Sequence, residues 1–118
     1  MATKEFIFEQ IEKEFTAART AKEGGNDGKA RVCARRAVGH TMSWFVSKYP
    51  RSGQRSDAMS QLQGIQNDPM FSQDVHDAAV RLTTKISGQF SYSSLNDPIE
   101  DAKTIINAIT ILMESNAI

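Results

Sequence analysis

Five stretches of this sequence repeat their apolar residues at intervals of three and four and none repeats them at two, which commits the chain to helices and leaves no segment patterned as a strand. Three prolines and seven glycines punctuate the chain, most of them between the stretches. No repeat of solenoid period is present. The pattern predicts an all-α fold, an antiparallel up-and-down helical bundle of about five helices.

The first predicted helix spans about 3–23, with Thr3 as N-cap and Ile7, Phe8, Ile11, Phe15 and Ala18 on one face. Gly24 to Gly28 supply a tight turn, so the second helix, from about Lys29 to Tyr49, returns antiparallel. Its inner face carries Ala30, Cys33, Ala34, Ala37, Thr41, Trp44 and Phe45, narrow at first and bulky at the end. Pro50 stops it, Arg51 to Arg55 form a polar loop, and a short third helix covers 56–67 with Met59, Leu62 and Ile65. After Asp68 and Pro69 a fourth helix, 72–87, places Val75, Ala79, Leu82 and Ile86 on one stripe. Gly88 to Asn96 read as a loop pinned by Phe90 and Tyr92. Asp97, Pro98 and Glu100 are a strong start signal for the last helix. Its broad stripe, Ile99, Ala102, Ile105, Ile106, Ile109, Leu112 and Met113, suits either a central helix or a dimer face, with Asp101, Lys103, Asn107 and Glu114 away from the stripe's centre.

At 118 residues and 40% apolar composition the chain is the size of one domain, and the expectation is a single helical domain, 1–118, in place of a multidomain enzyme. No apolar run is long enough to span a bilayer, the N-terminal residues lack the zones of a secretory signal, and the lone Cys33 has no internal disulfide partner. The expectation is a cytoplasmic protein with no membrane association.

Fourteen basic and fourteen acidic residues cancel overall, but they are not evenly spread. Between Lys22 and Arg55 eight cations face two acids, a local balance of +6 that leaves −6 elsewhere. A basic second helix with Arg31, Arg35, Arg36 and His40 would bind the phosphates of RNA or a nucleotide, or meet the acidic part of a second copy. Otherwise these arginines are solvated or paired.

Few features support catalysis. His40 and His76 lie on different helices without a cysteine or second histidine at ligand spacing, so no metal site or cofactor is expected, and His76 is explained by exposure. The glycine turn precedes a helix but follows no strand, unlike a phosphate-binding loop, and no nucleophile elbow occurs. Arg35 and His40 have the spacing of a metal-independent ribonuclease motif, yet five residues along a helix turn them about 140° apart. Arg36 and His40, one turn apart, share a flank, where an imidazole acts as acid or base beside an arginine.

Taken together, Phe15-Thr16-Ala17-Ala18-Arg19 with the Gly24 to Gly28 turn, Ala30 to Phe45 with Arg35-Arg36-Ala37-Val38, Val75 to Ile86, and Asp97 to Ile109 with Asp101-Ala102 resemble the HEPN family of all-helical domains. In nuclease members the arginine and histidine motif lies late in the chain; here Arg81 is followed five residues on by Ile86, and no histidine follows His76. The resemblance therefore implies a noncatalytic member, with no catalytic residues assigned. Such members act as homodimers and bind nucleotides, RNA or a nucleotidyltransferase partner. Phe90-Ser91-Tyr92-Ser93 stands where that subset carries an arginine-tyrosine-proline stretch. The alternative is a HEPN-type ribonuclease using His40 with Arg35 or Arg36.

Overall fold

Thr3 fixes the first helix boundary, its hydroxyl accepting a hydrogen bond from the Phe6 amide at 3.1 Å. The computed structural model describes residues 3–48, 57–84 and 97–115, and these form five α-helices: α1 (Lys4–Glu23), α2 (Asp27–Lys48), α3 (Ala58–Gln66), α4 (Gln73–Thr83) and α5 (Pro98–Ser115). No strand occurs among the described residues. The fold is an all-α bundle, as the periodicity predicts.

Three boundaries differ from expectation for local reasons. α2 begins two residues earlier than Lys29, because Asn26 Oδ1 accepts from the Lys29 amide at 3.0 Å and so draws Asp27 and Gly28 into the first turn. The turn before it needs only one residue in the left-handed region, Gly25 at φ 79°. α3 starts behind Asp57, which caps the Ser60 amide at 2.9 Å. α4 ends at Thr83, short of the predicted 87. Thr83 Oγ1 donates to the Ala79 carbonyl at 3.0 Å, Thr84 Oγ1 to the Val80 carbonyl at 2.7 Å, and Thr84 is extended. The expected loops at Arg51 to Arg55 and Gly88 to Asn96, with Phe90 and Tyr92, lie outside the described residues, as does Ile86.

α2 has the most neighbours: it packs against α1, α3 and α5, while α4 closes the other side against α3 and α5. Small residues make this possible. Ala30, Ala34 and Ala37 are buried and let neighbouring backbones approach, whereas Trp44 and Phe45 fill the wider end. At Gly39 a Cβ would stand 3.1 Å from the Ala58 Cβ, so α2 and α3 touch closely there. The predicted inner face of α2 is buried throughout, and Val38 and Met42 are buried beside it, so the helix is enclosed over a wider arc than its alanine stripe implies.

α5 buries its isoleucine stripe inside the chain, between α2 and α4. That overturns its reading as a free dimer face. Asp101, placed by sequence away from the stripe's centre, is 1% exposed. The reason is Arg81 of α4, whose Nε lies 3.1 Å from both carboxylate oxygens and whose Nη2 lies 2.9 Å from Oδ1. His76 is also not simply exposed: it is half-buried, its Nε2 2.7 Å from the Asp68 carbonyl in the α3 to α4 connection.

Removing Arg81 leaves the buried Asp101 carboxylate without its guanidinium, so Arg81→Met is expected to cost about 3 kcal/mol in urea unfolding. The double replacement Arg81→Met with Asp101→Leu should cost less than the single one, because the buried carboxylate is then gone as well.

Candidate functional site

α2 carries all four residues that the sequence singles out, but they do not make one surface. Arg31 and Arg35 are one turn apart, as are Arg36 and His40, and the two pairs are turned about 140° from each other. Arg31 is buried at 9% exposure. Arg35 is half-buried, and its Nη1 donates to the Leu82 carbonyl at 3.3 Å. Leu82 lies in the last turn of α4, where carbonyls lack partners within the helix and a cation suits the negative end of its dipole. Arg35 therefore fastens α2 to the end of α4.

Arg36 and His40 look the other way, across the α1 to α2 seam. Arg36 Nε and His40 Nε2 each lie 3.2 Å from the same oxygen, Oε2 of Glu14. Glu14 is 9% exposed and sits on the apolar side of α1, between Ile11 and Ala18. Its burial is tolerable because two donors from α2 converge on it. Sequence reasoning missed Glu14. The available signal was its position at 100° per residue between Ile7 and Ala21, at the edge of the apolar stripe, where an acid requires a cation from the facing helix.

Arg36 nevertheless stays 62% exposed at its side chain and His40 35%. Lys29 lies two turns before Arg36 on the same line of the helix, and it too is exposed. The accessible part of the basic helix is thus Lys29, Arg36 and the edge of His40.

A second feature lies between α1 and α5. The two helices run antiparallel, joined at one end by Lys4 and Glu114 at 3.2 Å and at the other by Lys22 and Asp97. Between these ion pairs the helices part, leaving a cleft of about 430 Å³ against Phe8, Ile11, Phe15 and Ile106. It is continued at Lys103 by a polar hollow of about 440 Å³ that reaches Arg19 and Glu100. Phe8 is held in the wall by an edge-to-face contact with Trp44, centroids 5.8 Å apart.

No group of three His, Cys, Asp or Glu side chains among the described residues is arranged to hold a metal ion. Cys33 is buried in the core. Among the described residues no helix is long and apolar enough to cross a membrane.

Glu14→Ala is expected to cost about 1–2 kcal/mol by thermal or urea unfolding, since it strips two α2 side chains of their shared acceptor. Arg36→Ala should cost less than about 1 kcal/mol, because its guanidinium is largely solvated. Comparison of the chain with protein-family models, with curated proteins and with solved structures finds no match.

Proposed function

We propose that this chain is a noncatalytic helical binding module of the HEPN kind, acting as a homodimer and presenting the outer line of α2 to the phosphates of RNA or a nucleotide. The observation that carries the reading is the sorting of α2's charges. Arg31 and Arg35 turn inward, while Lys29 and Arg36 share one exposed line with His40 at its edge. Two cations on a rigid helix, with Glu14 holding one of them at its inner side, form a shallow electrostatic surface that suits a backbone ligand more than a sequence-reading site.

Salt dependence tests it. Anisotropy of a labelled single-stranded RNA should show binding that weakens as salt rises, and Lys29→Ala with Arg36→Ala should lower the slope of log K against log salt by about 1.4. Absence of binding to RNA and nucleotide at low salt would overturn the anionic reading.

The convergence of His40 and Arg36 on Glu14 favours one second reading, a metal-independent ribonuclease. There His40 takes the 2′-hydroxyl proton as the 2′-oxygen attacks phosphorus and the bond to the 5′-oxygen breaks, leaving a 2′,3′-cyclic phosphate and a 5′-oxygen that takes its proton from water. Arg36 stabilises the charge on the phosphate. Incubation with mixed RNA in chelator decides between the two: cleavage lost in His40→Ala supports the enzyme, and cleavage unaffected by that substitution excludes this site.

A further inference from the structure

The cleft between α1 and α5 has an apolar wall and two charges on its α1 rim that find no ion partner at home. Glu12 and Arg19 are exposed, and neither forms an ion pair within the chain among the described residues. Arg19 instead lies over the Phe15 ring, 5.8 Å from its centroid. Seven residues separate the two charges, which puts them on one line of the helix but about 10 Å apart along it, too far to meet.

We propose that this cleft is covered by α1 of a second copy of the chain, lying antiparallel across a two-fold axis at the level of Phe15 and Thr16, so that Glu12 of each copy meets Arg19 of the other. The inference rests on the homodimer reading given above and specifies its interface. An isologous contact requires a self-complementary surface, and the charge order along α1 supplies one. In this register Glu9 stands level along the axis with the second copy's Lys22, and no two like charges of the paired α1 helices stand level. A two-fold axis in the plane of the contact keeps side chains at the same angular offset on the same side, and Glu12 and Arg19 differ in offset by only about 20°. Phe15 then lies beside the two-fold axis, with Glu12 and Arg19 about 5 Å to either side of it along the helix and Phe8 farther out.

The test is a charge-swap series followed by sedimentation velocity, with far-UV circular dichroism to establish that each variant keeps its helices. Wild type should sediment as a dimer. Glu12→Arg alone and Arg19→Glu alone should each weaken self-association about tenfold or more, because each places like charges at both symmetry-related contacts. Mixing the two single variants should restore a dimer, since every rim contact in the mixed pair again joins opposite charges, and the double variant should restore it as well. Single variants that dimerise as tightly as wild type would overturn this interface and leave the homodimer reading standing. Failure of the mixture to associate would likewise overturn the interface. A wild type that stays monomeric at high concentration would overturn both.

Discussion

Close approach of helices to α2 is the constraint on which the bundle depends. Ala30, Ala34 and Ala37 keep one side of that helix narrow, and Gly39 brings α3 to within a methyl group of it. A helix with bulkier residues at those positions would hold its neighbours farther off and cost the close contacts between their side chains. Because α2 is enclosed by α1, α3 and α5, its charged residues are sorted by geometry into those that must find internal partners and those that reach water.

The internal partners are chosen economically. Arg35 uses a carbonyl in the last turn of α4, where the helix itself supplies no donor, and Glu14 serves two side chains with one oxygen. Arg81 and Asp101 tie α4 to α5 in a bidentate pair, so a polar contact fixes the register of a seam otherwise made of aliphatic side chains. These contacts specify which helix lies beside which. The apolar stripes by themselves tolerate sliding, whereas a buried carboxylate held by a half-buried guanidinium does not.

Most of the architecture was legible in the periodicity: the helices, their approximate bounds and nearly every apolar core residue of α1, α2 and α5. What was not legible followed from neighbours rather than from local pattern. Asp101 looks peripheral on its own helix and becomes buried only because Arg81 reaches it from α4. Arg31 and Arg35 look like a basic surface because an isolated helix gives no indication that α2 is covered on several sides. Glu14 looks like an irregularity in α1 until Arg36 and His40 are placed opposite it. The wide stripe of α5 left two meanings open, and packing against both α2 and α4 chose the internal one.

The two ion pairs between α1 and α5 have a further consequence. Both join partly exposed side chains at opposite ends of the helices, while the middle is parted by the cleft. Such tethers are screened by salt, whereas the apolar contact of α1 with α2 is not. Ionic strength therefore sets how tightly α1 is held at its outer edge. Amide exchange along that helix should speed up with added salt before α2 or α5 responds, making α1 the hinged wall of the bundle.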